Sequence, residues 1–91
     1  MDEYREAIRQ FHELYEPLRK RYGLRCHTYF SMYGENLIEI WEYTGEVQGR
    51  CICRASEEDE TACYRMAVED LKMYKKDRED GENGTVADMA V

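Results

Sequence analysis

The chain has 91 residues, enough for one domain with a modest core. Its 13 basic and 20 acidic side chains give a formal charge of -7, which argues against general binding of nucleic acid by phosphate neutralisation. Eight Tyr, one Trp and two Phe supply large apolar area, and no apolar run reaches the length of a membrane span.

Residues 2–22 read as an amphipathic helix. Tyr4, Ile8, Phe11, Tyr15, Leu18 and Tyr22 recur at steps of four and three and make one stripe. Asp2 fits the N-cap, Glu3 and Glu6 suit the positive end of the helix dipole, and Arg19, Lys20 and Arg21 suit the negative end before Gly23. Pro17 removes a backbone hydrogen bond and crowds the preceding turn, which predicts a kink near residues 13–17.

Three stretches with period-two alternation follow, 25–33, 37–43 and 46–55. One face of the resulting sheet would carry Cys26, Thr28, Phe30, Met32, Ile38, Ile40, Val47, Cys51, Cys53 and Ala55. The other would carry His27, Tyr29, Tyr33, Leu37, Trp41, Tyr43 and Ile52, beside Arg25, Glu39, Arg50 and Arg54. A three-residue loop Gly34-Glu35-Asn36, with Asn36 left-handed, would pair Tyr33 with Leu37 and Tyr29 with Trp41. A two-residue loop Thr44-Gly45 would pair Trp41 with Gln48, Glu39 with Arg50, and Leu37 with Ile52.

Ser56-Glu57-Glu58-Asp59 resembles a capping box and opens a second helix that runs to about residue 77. Tyr64, Ala67, Val68, Leu71 and Tyr74 form its apolar stripe. Beyond it, residues 81–91 read as a flexible acidic and polar C-terminal tail after a single domain over 1–80. The fold class is therefore α+β in the order α-β-β-β-α, a three-stranded antiparallel meander with both helices on one face.

Two helices leave the second sheet face open, and an exposed apolar patch usually means a partner. Tyr29, Tyr33, Leu37, Trp41, Tyr43 and Ile52, with Arg50 and Arg54, are the candidate anchors there, because aromatic side chains and Arg dominate interface hot spots. Glu57, Glu58, Asp59 and Glu60 form an acidic run, and Glu69, Asp70, Asp77, Glu79 and Asp80 extend it along the second helix. Four successive carboxylates exceed what one helix start requires and would steer the protein to a basic partner.

No catalytic motif stands out, and an enzyme is not expected. Cys26 and His27 are adjacent in a strand and point to opposite faces, and His12 lies off the helix stripe. Cys51 and Cys53 with Cys26 and Cys63 give one close pair and two singles, unlike the two close pairs of a structural zinc site, so no metal or cofactor is expected. The start Met1-Asp2-Glu3-Tyr4-Arg5-Glu6 has no apolar stretch of a secretory signal, which predicts a cytoplasmic protein with free thiols.

The element order is similar to that of the double-stranded RNA-binding domain, where a basic cluster at the start of the last helix grips phosphates. Here Glu57-Glu58-Asp59-Glu60 stands at that place with the opposite sign. In element order and acidic charge over residues 2–77, carried by Glu57–Glu60, Glu69, Asp70, Asp77, Glu79 and Asp80, the chain resembles small anti-CRISPR inhibitors of phages and mobile elements. That resemblance implies a nucleic-acid mimic that occludes a basic groove on an effector. Two other expectations arise from the aromatic face. One is a homodimer with a structural or regulatory role. The other is a single-stranded nucleic-acid binder using Tyr29, Trp41 and Arg50.

Overall fold

A computed structural model describes residues 2–43 and 49–90, with side-chain surroundings described through Gly81. The elements run α1 (Glu3–Tyr22), β1 (Leu24–Phe30), β2 (Asn36–Glu42), β3 (Arg50–Glu57) and α2 (Glu60–Ala90). The strands form one antiparallel sheet in the order β1-β2-β3, the expected α+β meander. No helix is long and apolar enough to cross a membrane among the described residues.

Helix α1 starts where Asp2 accepts the Tyr4 N–H at 3.0 Å. It stops at Gly23, whose φ of 67° lets its N–H reach the Arg19 carbonyl at 3.0 Å. The helix is unbroken through Pro17. That residue is exposed, so the carbonyl it frees one turn back can be hydrated. Ala7, Phe11, Tyr15, Leu18 and Tyr22 are buried, whereas Tyr4 at the first turn stays partly exposed.

Both helices cover the same sheet face and run parallel. Tyr4 and Phe11 meet Tyr64 near the helix starts, while Tyr22 meets Tyr74 further along. Ile38, Ile40, Ala55, Cys63, Ala67 and Leu71 are fully enclosed between the layers. Burying a side chain of Leu or Ile size contributes about 1.5–3 kcal/mol, so this small set supplies much of the fold's stability.

The strand register differs from the expected one. Tyr29 pairs with Leu37, His27 with Glu39 and Arg25 with Trp41. Asn36 belongs to β2, and residues 31–35 make the connection instead of the three-residue loop. Gly34, with φ 82°, takes the left-handed place expected of Asn36. On the other side Glu39 pairs with Arg54 and Leu37 with Ser56. The irregularity between Ile40 and Trp41 makes Ile52 an extra residue, because Ile40 pairs with Cys53 and Trp41 with Cys51.

That bulge overturns three face assignments. Cys51 lies opposite Trp41 on the open face and is exposed. Arg50 lies opposite buried Glu42 on the helix side, with Nη2 3.7 Å from its carboxylate. Ile52 is half-buried against the core cluster rather than presented with Trp41. The expected turn at Thr44-Gly45, and Val47 and Gln48, lie outside the described residues.

Helix α2 begins later and ends later than the sequence predicts. Strand β3 continues to Glu57, and Asp59 rather than Ser56 caps the helix, its carboxylate accepting the Ala62 N–H at 3.0 Å. The helix then runs past residue 77 to Ala90. Extending an existing helix adds one hydrogen bond per residue fixed, so it continues through a polar segment where a new helix would not start. The tail expected over 81–91 lies largely outside the residues whose side chains are described.

Candidate functional site

The open sheet face consists of three cross-strand rows, Tyr29–Leu37–Ser56, His27–Glu39–Arg54 and Arg25–Trp41–Cys51. Its centre is polar. The Trp41 indole N–H donates to Glu39 Oε1 at 2.6 Å, and Arg54 Nε and Nη2 donate to Glu39 Oε2 at 3.0 and 2.8 Å. The Trp41 and Arg54 bonds hold the Glu39 carboxyl below the usual carboxylate range. Leu37 and Trp41 are half-buried, so the face does not form the broad apolar patch that alternation predicted. Tyr43 is exposed at the far end, where its N–H donates to the Gly23 carbonyl at 3.3 Å.

Three strongly exposed apolar side chains sit instead together at one end of this face. Met32 is 90% exposed, Tyr33 86% and Tyr29 58%. Local hydrogen bonds explain this. The Gly34 N–H donates to the Ser31 carbonyl at 3.2 Å, which makes Met32 and Tyr33 the two central residues of a β-turn. Ser31 supports the turn through its hydroxyl, which accepts the Tyr33 N–H at 3.1 Å, and through its own N–H, which donates to the Glu35 carbonyl at 3.1 Å. Central turn positions project outward, so both side chains meet solvent.

Beside this turn lies the junction of β3 and α2. The Asn36 side-chain amide donates to the Glu58 carbonyl at 2.7 Å and joins the two. A groove of about 460 Å³ runs between them, lined by Tyr29, Gly34, Asn36 and Leu37 and by Ser56 and the acidic side chains Glu35, Glu57 and Glu58. Both helix N-termini lie at this pole. Arg65 of α2 reaches Glu3 of α1 at 3.6 Å, and Tyr4 bonds the Glu60 side chain. Partial burial first, then that bond, raises the Tyr4 phenol. Asp59 and Glu60 serve the start of α2, but Glu57 ends a strand and Glu58 lies in the connection. Helix capping therefore accounts for only half of the acidic run.

The remaining acidic candidates are elsewhere. Glu69 is tied to Lys72 at 3.3 Å. Asp70 and Asp77 line a second groove, of about 490 Å³, between α2 and the outer edge of β3, with Arg50, Arg54 and the exposed Met73. Burial first, then Asp70, pushes the Cys53 thiol up. Glu79 and Asp80 follow Arg78, whose guanidinium lies 4.4 Å from the Tyr22 ring centroid. Lys72, Lys75, Lys76 and Arg78 intervene, so the carboxylates of α2 form no continuous track.

The structure thus joins Tyr29 and Tyr33 to Glu57 and Glu58 at one pole, and separates them from Arg50, Ile52, Tyr43 and the α2 carboxylates from Glu69 onward. Met32, Glu35 and Asn36 belong to that pole and were not among the expected site residues. Ser31-Met32-Tyr33-Gly34, with Ser at the first and Gly at the last turn position, was the sequence signal for it. No protein-family model, curated protein or solved structure matches the chain.

Proposed function

We propose that this chain is a small acidic binding module that occludes a basic surface on another protein, docking through the pole formed by the β1–β2 turn and the β3–α2 junction. One observation carries this reading. Met32, Tyr33 and Tyr29, exposed apolar side chains, stand beside the groove that Glu35, Glu57 and Glu58 line. Apolar and aromatic area supplies contact energy at an interface, and clustered charge steers a partner of opposite sign. No reacting group is required, so the mechanism is occlusion.

The narrower form, an inhibitor of a nucleic-acid-binding effector that mimics nucleic acid, rests on Glu57–Glu60 and the resemblance in charge. The α2 carboxylates add little, since basic side chains interrupt them. A single-strand binder built on Tyr29, Trp41 and Arg50 loses its shared face, because Arg50 pairs with Glu42 on the helix side. A dimer through the sheet would bury the Glu39–Arg54–Trp41 cluster at its centre, and desolvating charged groups costs free energy.

Affinity capture from cell extract tests the proposal, comparing wild type with the double variant Tyr33→Ser, Glu58→Lys. A basic protein held by wild type, released as salt rises and lost by the variant, is expected. Retention that is equal for both forms, or none with wild type, contradicts it.

A further inference from the structure

The two outer edges of the sheet differ. Strand β3 is bent by the bulge at Ile52, a device that blunts an edge against further pairing. Strand β1 keeps one register from Leu24 to Phe30 and holds no Pro. Its hydrogen-bond phase follows from the bonds that flank it. The Tyr43 N–H donates to the Gly23 carbonyl and the Ser31 N–H to the Glu35 carbonyl, both in line with the β1–β2 register. Bonded and non-bonded pairs alternate in an antiparallel ladder, so Arg25, His27 and Tyr29 bond to β2. Cys26 and Thr28 then direct their N–H and C=O groups away from the sheet, where no strand stands beside β1 among the described residues.

Helix α1 leaves that edge open. Thr28 lies on the helix side and is nonetheless exposed, and Cys26 is only partly covered. A groove of about 600 Å³ follows the edge. Arg25 and His27 line it from the open face, Leu24 and Cys26 from the helix face, and Tyr15 and Arg19 from α1, so it straddles the strand. No carboxylate lines it, in a protein that is acidic overall. Arg19 is tied to Glu16 at 2.9 Å, whereas Arg25 has no ion-pair partner among the described residues. Burial first, then Cys26, raises the Tyr15 phenol, and Arg19 and Arg25 oppose that rise, so both positive charges stand near this wall.

We infer that the β1 edge takes an acidic extended segment of a partner protein as an added antiparallel strand. The outward backbone groups of Cys26 and Thr28 bond to it. Its side chains opposite Arg25 and His27 fall in the closer, non-bonded pairs, where a carboxylate meets Arg25. Those between them face the helix side, where small apolar side chains meet Cys26 and Tyr15. A second copy of this chain fits less well, since antiparallel self-pairing sets the Arg25 and His27 side chains of both copies along one row with no carboxylate between them. This groove shares no lining residue with the acidic pole, and neither reading depends on the other.

The test titrates the full chain with a blocked heptapeptide alternating Glu and Val, with Glu at both ends. Calorimetry reads affinity, and NMR hydrogen exchange reads backbone protection. Saturable binding with slowed exchange of the Cys26 and Thr28 amides is expected. A matched peptide of Lys and Val should bind at least about tenfold more weakly, and Arg25→Gln, at an exposed position, should weaken the Glu peptide by about threefold or more. Methylated peptide amides give the sharper check. Val lies opposite Cys26 and Thr28, so N-methylation of Val should abolish binding, whereas N-methylation of Glu, whose amides point outward, should leave it. The reverse pattern, binding without protection of the two amides, or no binding of the Glu peptide overturns the inference. Protection of both amides without peptide, at a doubled solution mass, would put a second copy on the edge and overturn it as well.

Discussion

Tyr74→Phe removes one hydroxyl from a buried polar cluster of the fold. Its phenol donates to the Glu42 carboxylate, and both residues are buried, at 6% and 7% exposure. Arg50 and Arg78 stand 3.7 and 3.8 Å from the same carboxylate, beyond ordinary hydrogen-bond reach. The variant thus deprives a buried anion of a donor, and hydrogen bonds to charged groups are worth about 1.5–3 kcal/mol. A domain of this size has roughly 5–14 kcal/mol in total, so the loss is large. In urea, with a slope near 1 kcal/mol per molar for a small protein, the unfolding midpoint should fall by about 1.5–3 M. Tyr29→Phe, at an exposed site, should leave it unchanged. Burial first, then the bond to Glu42, raises the Tyr74 phenol, so the folded state keeps its proton longer than the unfolded chain. Stability from this group is full below the ordinary phenol value of about 10 and falls as pH rises above it. Tyr74→Phe should therefore flatten the alkaline limb of stability. An unchanged midpoint with an unchanged alkaline limb would refute the reasoning.

Gly23→Ala should destabilise by about 1–2 kcal/mol from the left-handed backbone alone. An added Cβ would also stand 2.9 Å from the Tyr43 carbonyl, and an unchanged melting temperature would contradict both effects. Cys51 should be the first thiol labelled by a maleimide in the native protein, since Cys53 and Cys63 are buried and burial pushes Cys26 up to about 11. Protection of Cys51 would restore the unbroken alternation of β3 and remove the bulge. Trp41→Phe takes away the indole donor, so the Glu39 carboxyl should titrate closer to its ordinary range when followed by carbon NMR. Glu39 holds its proton less tightly when folded, so its contribution is present above the ordinary carboxylate range and fades as pH falls. An unmoved titration in that variant would assign the shift to Arg54 alone.

Element order was legible because the two periodicities are clear. Phe11, Tyr15, Leu18 and Tyr22 recur as a helix requires, and Ile38 and Ile40 alternate with Leu37, Glu39 and Trp41. Alternation fixes faces but not register, since a shift of two residues keeps every side chain on its face. Tyr29 was thus placed on the correct face but opposite Trp41 instead of Leu37. The bulge was hidden for a related reason. Cys51, Ile52 and Cys53 are all apolar, so an extra residue leaves no break in the pattern, yet it reverses Arg50 and Cys51. The acidic half of the pole was legible as charge. Of its apolar half Tyr29 and Tyr33 were expected as anchors but Met32 was not, because residues 31–33 continue the β1 alternation and read as strand, whereas the Ser31–Gly34 bond turns Met32 and Tyr33 outward.

Carboxyl footprinting of the protein, alone and with the partner that wild type captures, tests the central claim most directly. Protection of Glu35, Glu57 and Glu58, with Glu69, Asp77 and Asp80 still reactive, is the predicted result. Protection along α2 with the pole left reactive would place the interface elsewhere and contradict the account.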